Sequence, residues 1–331
     1  MRTMRGFTLV ELMVALVLGM IVSAAAIAVF MSNRQVYTTT ENLGRAQETV
    51  RTAYELMARN MREASGNPCE AGLPTVNVLK TPAANWWSNF DNGVRGYDGA
   101  TAFPDRAFGA ARGDRIAGTD ALEMKSATAD GVTVVSHNAP AAQFKVNTVN
   151  HGIASGDIVM VCDFDHAAIL QVTNANPGIN DTIVHNTGTG VPGNCSKGLG
   201  FSAPPNCTVN GSPYTYGANS IIARLRMERW YVGNDGSGGR SLFQSVLVNN
   251  AGTLSVQRQE IADGVRNLRL QYLVVGATNY ADAGAIAATD WGARVIAVRV
   301  VLTLAGRNGS NGADAVDRTL EHTVTLRNRV P

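Results

Sequence analysis

Glu11 places a carboxylate inside an apolar stretch that is long enough to cross a bilayer. The stretch runs from Phe7 to Met31, and about 20 predominantly apolar residues are enough for a spanning helix. A charge near the middle of such a helix costs roughly 2.5–3.5 kcal/mol on insertion scales, so charges there are usually paired and functional. The chemistry expected of Glu11 is therefore an ion pair. The nearest cationic side chains in the sequence are Arg2 and Arg5 before the stretch and Arg34 after it.

The four cysteines are candidates for disulfides or for a metal site; they are Cys69, Cys162, Cys195 and Cys207. All of them follow the apolar stretch, and the basic residues before it predict a cytoplasmic N-terminus with the rest of the chain outside. An even number of cysteines in an oxidising compartment favours disulfides, and no C-x-x-C spacing supports zinc. Three pairings are possible. The short segment between Cys195 and Cys207 favours that bridge, and Cys69–Cys162 would follow by elimination.

The other candidates for catalysis do not form a recognisable set. The five histidines are His137, His151, His166, His185 and His322, and they show neither H-E-x-x-H nor another close spacing. His322 lies in an alternating apolar pattern, which favours packing in the core or at an interface. Asp163 and Asp165 follow a predicted strand, but without further ligands we interpret them as turn residues. There is no nucleophile elbow and no P-loop, so we expect no enzymatic activity, no cofactor and no metal.

A glycine-rich segment at 233–239 resembles a phosphate-binding loop only in composition. It joins two predicted strands, whereas a phosphate-binding loop opens a helix, so a hairpin loop is favoured. Asn234 and Asp235 would offer calcium two oxygen donors, but the distal glutamate of a calcium loop is missing.

Length and charge bound the class of protein. The chain has 331 residues, which leaves enough beyond a spanning helix for one large domain or two small ones. The formal net charge is +2, and loss of Arg2 and Arg5 with a leader would bring it to zero, which gives no electrostatic case for binding nucleic acid. Only 16% of residues are charged, and this suits an extracytoplasmic strand-and-loop domain better than a helical cytoplasmic enzyme.

One long helix is predicted to begin in the apolar stretch and to become amphipathic after it. Apolar residues continue at three- and four-residue steps through Tyr54, Met57 and Met61. The run Ser65-Gly66-Asn67-Pro68 predicts the helix end, with glycine at the C′ position. From about Phe7 to Ala64 the helix would be roughly 85 Å long at 1.5 Å per residue. We divide the chain into a leader (1–6), a spanning half-helix (7–31), an amphipathic half-helix (32–64) and a head (65–331).

Strand patterns dominate after Gly118 and predict a mainly antiparallel sheet, so the fold class is α+β. The predicted strands lie at 121–125, 158–161, 168–172, 223–228, 242–246, 254–259, 265–275, 293–304 and 319–326. Residues 66–118 and 174–219 are predicted to be long loops. Trp86 and Trp87 lie in the first of these, where aromatic plugs beneath the loop are favoured over a binding site for sugar or for a partner.

The segment Gly6-Phe7-Thr8-Leu9-Val10-Glu11, behind a short basic leader and before an apolar helix, resembles the class III signal of type IV pilins. The resemblance implies that a prepilin peptidase cleaves between Gly6 and Phe7 and methylates the new N-terminus. It also implies that the cation for Glu11 is the freed amine of Phe7 on a neighbouring subunit. A long helix packed on a β-rich head is the fold implied. An ordinary signal peptide or a plain membrane anchor is disfavoured, because neither explains Glu11 or the length of the apolar stretch.

Blocks in the second half of the chain resemble PilW-type minor pilins. They are Gly118–Leu122, Gly156–Val161, Trp230–Gly233, Gly264–Leu268 and Trp291 before Arg294–Val300. This resemblance implies a subunit that primes pilus assembly in a tip complex, with other minor pilins and the major pilin as partners. The prepilin peptidase, the inner-membrane assembly machinery and inner-membrane lipid are the other implied partners. The implied location is the inner membrane with a periplasmic head before assembly, and the pilus at the cell surface afterwards.

Two alternatives stay open because they share this N-terminus. One is a minor pilin displayed as an adhesin or DNA receptor, and the other is a minor pseudopilin of a type II secretion system.

Overall fold

The structure is a computed structural model, and it describes residues 8–66, 68–69, 73–90, 92–305 and 317–329. The described residues divide into two units, 8–52 and 53–305 with 317–329. In the first unit the described residues form most of one helix. The second unit contains the last turns of that helix and all of the described strands.

Helix α1 extends from Leu9 to Glu63, which confirms the predicted long helix. In its last turns Met57 and Met61 are fully buried, while Glu55 and Arg59 are exposed. The amphipathic pattern therefore marks the helix face that packs into the core of the second unit.

The end of the helix differs from the prediction. Ser65, rather than Gly66, has the left-handed backbone, with φ of 60°. Asn328 donates from Nδ2 to the carbonyl oxygens of Arg62 and Ala64, both at 3.2 Å, so the C-terminal segment satisfies carbonyls that the helix leaves unpaired. Gly66 is favoured for a different reason, because a Cβ atom there would lie 2.8 Å from the backbone carbonyl oxygen of Glu63 and 2.6 Å from Asn328 Nδ2.

The second unit contains sixteen strands among the described residues. In chain order they are β1 (Thr75–Asn77), β2 (Val94–Tyr97), β3 (Ala121–Thr128), β4 (Val134–Asn138), β5 (Gln143–Val146), β6 (Ile158–Cys162), β7 (Ala167–Gln171), β8 (Asn174–Ala175), β9 (Thr182–Val184), β10 (Ile221–Asn234), β11 (Arg240–Asn250), β12 (Thr253–Asp263), β13 (Val265–Val274), β14 (Ala281–Asp282), β15 (Val295–Leu304) and β16 (Arg318–Thr325).

These strands form three sheets. The largest has the order β1-β7-β6-β10-β11-β12, with β3 also paired to β10 and β2 paired to β3. The second has the order β14-β13-β15-β16, and the third β4-β5-β9-β8. Among the described strand pairs β1 and β7 are parallel and the others antiparallel. The α+β class with a mainly antiparallel head is confirmed, although the head has three sheets where we expected one.

All nine predicted strands are present, and seven short ones were missed: β1, β2, β4, β5, β8, β9 and β14. Four of these lie in the segments predicted to be loops, so that prediction was wrong in part. They are two to four residues long, which is too short for an alternating pattern to be recognised. For β1, β2 and β9 the backbone groups pair with strands from more distant parts of the chain, β7, β3 and β5, whereas β8 pairs with the nearby β9.

Strand β10 is the central element of the head. We predicted it at 223–228, but it is 14 residues long and pairs with β3, β6 and β11. Because side chains alternate between the two faces of a strand, Glu228 and Trp230 lie on one face, with Met227 and Arg229 on the other. All four side chains are buried.

Candidate functional site

The predicted processing and assembly site lies at the start of α1. Gly6 and Phe7 are outside the residues that the structure describes, so the site is seen from Thr8 onward. Glu11 Oε2 accepts hydrogen bonds from the backbone N–H and from the hydroxyl of Thr8, both at 2.9 Å. In return, Thr8 Oγ1 accepts a bond from the Glu11 N–H at 3.3 Å. This reciprocal pair is a capping box, in which two otherwise unpaired donors at the helix start are satisfied.

Our sequence reasoning missed this capping box, although its T-x-x-E signal is present as Thr8-Leu9-Val10-Glu11. The carboxylate lies at the N-terminus of the helix, where the helix dipole favours negative charge. Both bonds from Thr8 fall on Oε2. No described residue donates to Oε1, so that oxygen is able to accept a bond from an amine.

The helix that follows has the properties of a membrane span. The segment Leu9–Thr38 has a mean hydropathy of 2.7, and none of its most apolar window is buried in the described part of the chain. Its large apolar side chains are more than half exposed, from Leu9 at 75% to Tyr37 at 70%. An apolar surface of this extent requires lipid or other helices around it.

Polar contacts join the last turns of α1 to the sheets. Asn60 Nδ2 and Gln244 Nε2 each donate to Glu228 Oε2 at 2.7 Å. Burial raises the pKa of Glu228 to about 7, an effect that the nearby Arg226 opposes. The contact therefore includes a carboxylate that is largely protonated below neutral pH.

His322 does not lie in the core. It is exposed on the edge strand β16, and its ring stacks on that of Tyr54 with the centroids 4.2 Å apart. Its packing role is a contact between the helix and the second sheet.

Both disulfides that we inferred are present, Cys69–Cys162 and Cys195–Cys207. The first ties the segment after α1 to the end of β6, across 93 residues of sequence. The second closes a loop of the segment between β9 and β10. The first bridge therefore holds an irregular segment against the largest sheet, and the second constrains a loop within one irregular segment.

The structure brings two of the histidines together in a way that the sequence did not indicate. His137 Nε2 and His185 Nε2 are 3.1 Å apart in the interior of the third sheet, although 48 residues separate them. His137 Nδ1 accepts a bond from the Tyr216 N–H at 3.1 Å, so its proton lies on Nε2 and points to His185. Burial lowers the pKa of His137 to about 4 and that of His185 to about 3. The rings are neutral structural groups.

The aspartates that we interpreted as turn residues act as such. Asp163 Oδ1 accepts bonds from the backbone N–H groups of Asp165 and His166, and its Oδ2 accepts from the Tyr214 hydroxyl at 2.7 Å. Asp235 Oδ1 likewise accepts from N–H groups within its own glycine-rich loop. No group of three or more metal-ligating side chains occurs among the described residues.

Trp86 lies against a buried ion pair. The guanidinium of Arg229 is 4.1 Å from the Trp86 ring centroid and 4.2 Å from that of Phe103. Its Nε donates to Glu123 and its NH1 to Asp105, at 2.9 and 2.7 Å. One part of the indole is thus a structural cover for Arg229, as expected of an aromatic plug.

Comparison with known proteins bears on the N-terminus. The family model of the prokaryotic N-terminal methylation motif matches residues 1–27. No curated protein and no solved structure matches the chain. The matched residues contain the predicted cleavage position, Glu11 and most of the apolar stretch. Together with the apolar helix and the α+β head, the match supports a type IV pilin or pseudopilin, a structural protein with a membrane-anchoring helix.

Proposed function

We propose that the chain is a PilW-type minor pilin of a type IV pilus, which primes assembly at the pilus tip after cleavage between Gly6 and Phe7. The observation that carries this proposal is the match of residues 1–27 to the methylation motif, with Glu11 at the start of an exposed apolar helix. The PilW-like blocks in the head support the minor-pilin assignment over a major pilin. The assignment implies other minor pilins, the major pilin, the prepilin peptidase and the assembly machinery as partners.

The helix would first be held by lipid and then by a bundle of similar helices. Arg2 and Arg5 favour a cytoplasmic N-terminus, with the head in the periplasm. Transfer from lipid to the bundle keeps the side chains of Leu9–Thr38 out of water, so it costs little hydrophobic energy. Cleavage would free the amine of Phe7, which is the cation that a neighbouring Glu11 lacks.

Glu11 would set the axial position of the subunit. An amine and a carboxylate at about 4 Å attract by about 4 kcal/mol at an effective dielectric constant of about 20. Thr8 would hold Oε2 throughout, while Oε1 accepts the incoming amine. The capping box then keeps the carboxylate oriented before its partner arrives.

The first test is Glu11→Ala, with Glu48→Ala as the matched control, because Glu48 is an exposed carboxylate farther along the same helix. We expect both variants in the membrane fraction and only Glu11→Ala to be missing from sheared pili. Normal piliation and normal incorporation of Glu11→Ala would contradict the proposed role.

The second test is Gly6→Ala, which should block cleavage. Mass spectrometry of the protein from cells should show the leader retained and no N-terminal methyl group. A mature mass equal to that of the wild type would refute the processing step.

Co-purification separates the alternatives. The tagged chain should recover other minor pilins from cells, and Glu11→Ala should recover fewer. Recovery of type II secretion components instead would identify a pseudopilin.

Deletion of the loop around Trp86 and Trp87 tests the other alternative. An adhesin or DNA receptor would lose adhesion or DNA uptake on this deletion while piliation stays normal.

A further inference from the structure

A polar cavity of about 210 Å³ lies beside Trp86 in the head. Its lining comes from two loop segments and two strands, and Pro104 and Asp105 contribute from the segment between β2 and β3. Asn85, Trp86 and Asn92 belong to the segment between β1 and β2, while Tyr97, Glu123 and Lys125 belong to β2 and β3. A loop held over a rigid sheet is a common construction for a small-molecule site.

Of the four charged side chains that line this cavity, Asp105, Glu123 and Lys125 are in ion pairs, while Arg95 is exposed and lies over the Tyr97 ring. Glu123 and Lys125 are 4% and 5% exposed, and Glu123 Oε1 accepts from Lys125 Nζ at 2.8 Å. Glu123 Oε2 accepts from Arg229 Nε, also buried, and from the Tyr97 hydroxyl at 3.2 Å. Buried ions are retained only where such pairing offsets the loss of hydration. The cations Arg95 and Lys125 balance the carboxylates of Asp105 and Glu123, so the cavity presents polar edges without a net charge that would select an ion.

The amides at the cavity are not used by the fold. The side chains of Asn85 and Asn92 make no hydrogen bond to any described residue, although both are only partly exposed. Each offers one acceptor and two donors. By contrast, Ser88 in the same loop is fully buried and bonds to the carbonyl oxygens of Pro82 and Asn85, so the loop is held by other groups. The two amides are free to bind a ligand.

We propose that this cavity binds one uncharged sugar ring of a glycan, a function beyond pilus assembly. At about 30 Å³ per water the cavity has room for roughly seven waters, which suits a single ring better than a drug-sized ligand. A sugar offers hydroxyls that both donate and accept, as the amides of Asn85 and Asn92 require. It also offers apolar C–H groups to lie against the exposed part of the Trp86 indole.

The test uses the full-length protein in detergent micelles and saturation-transfer NMR. The probes are galactose, glucose, mannose and N-acetylglucosamine, with inorganic phosphate as a charged competitor. We expect saturable binding of at least one sugar with a Kd on the order of 1 mM, and no displacement by phosphate. Absence of saturable binding for all four sugars would overturn the proposal, as would displacement by phosphate.

Variants locate the site. Asn85→Ala and Asn92→Ala should each weaken binding about fivefold, the value of one hydrogen bond. Asn250→Ala is the matched control, since Asn250 is exposed at the end of β11 and does not line the cavity. Trp86→Phe should weaken binding, whereas Trp87→Phe should not. Because Trp86 also covers Arg229, the asparagine variants decide the outcome if Trp86→Phe unfolds, and equal losses in Asn92→Ala and Asn250→Ala would refute the site.

Discussion

The buried histidine pair makes the stability of the head fall in acid. The free imidazole has a pKa of 6.5, whereas burial holds His137 at about 4 and His185 at about 3. Between these values the unfolded chain binds protons that the native chain does not, so stability is lost as the pH falls below 6.5. At about pH 5 neither native ring is protonated. The free energy of unfolding is then lower than at about pH 8 by about 2 kcal/mol for each ring. Through this pair, acidification from about pH 8 to about pH 5 should therefore lower the free energy of unfolding by about 4 kcal/mol.

The comparison is between the wild type and the double variant His137→Asn/His185→Leu, which cannot titrate at these positions. The asparagine introduced in place of His137 would keep an acceptor for the Tyr216 N–H, and other titrating groups, including Glu228, are common to both proteins. Urea unfolding of the full-length protein in micelles at the two pH values gives the change in the free energy of unfolding for each. The wild type should lose about 4 kcal/mol more than the variant on acidification. Equal losses would show that the rings are accessible to protons in the native head, and would refute the reasoning.

Three further changes test the contacts that hold the head together. Gly66→Ala should destabilise the protein by about 1–3 kcal/mol in urea unfolding, because its Cβ would meet the backbone carbonyl oxygen of Glu63 and the Asn328 side chain. Gly217→Ala, with open space around it, should change the free energy of unfolding by no more than about 0.5 kcal/mol. Glu228→Gln should stabilise the protein relative to the wild type as the pH rises. Ionising a carboxyl with a pKa of about 7 instead of 4.5 costs the native state about 3 kcal/mol above neutral pH. If the free energy of unfolding changed with pH in the same way in both proteins, the effect of burial on Glu228 would be contradicted. Arg115→Met should lower the melting temperature, because the buried guanidinium donates to the carbonyl oxygens of Asp98 and Thr119 at 2.7 Å. An unchanged melting temperature would show that water replaces the guanidinium as the donor to these oxygens.

Prediction from sequence succeeded where the information is local. The period of α1 and the alternation in β10, β13 and β15 are repeated over many residues, so each pattern averages out its exceptions. The start of α1 also carries its own signal in Thr8 and Glu11. Although we identified the carboxylate and not the cap, both lie within four residues and are readable without a structure.

Prediction failed where a group's partner lies far away in the sequence. Gly at C′ is the common helix end, yet here Ser65 has the left-handed backbone, and Gly66 lies close to Asn328, which is 262 positions away in the sequence. The strands β1 and β9 are three residues each, too short for a pattern to be recognised, and they pair with the more distant strands β7 and β5.

The sequence by itself determined that this protein has a long apolar helix with a carboxylate near its start, a match to the methylation motif and a β-rich head. Those features depend on residue type and spacing, which folding does not alter. Only the tertiary structure decided that His137 meets His185, that Arg229 lies between Trp86 and Phe103, and that Asn85 and Asn92 are left beside a polar cavity. Such contacts depend on how distant segments are brought together, and a one-dimensional pattern does not encode which buried groups will be neighbours.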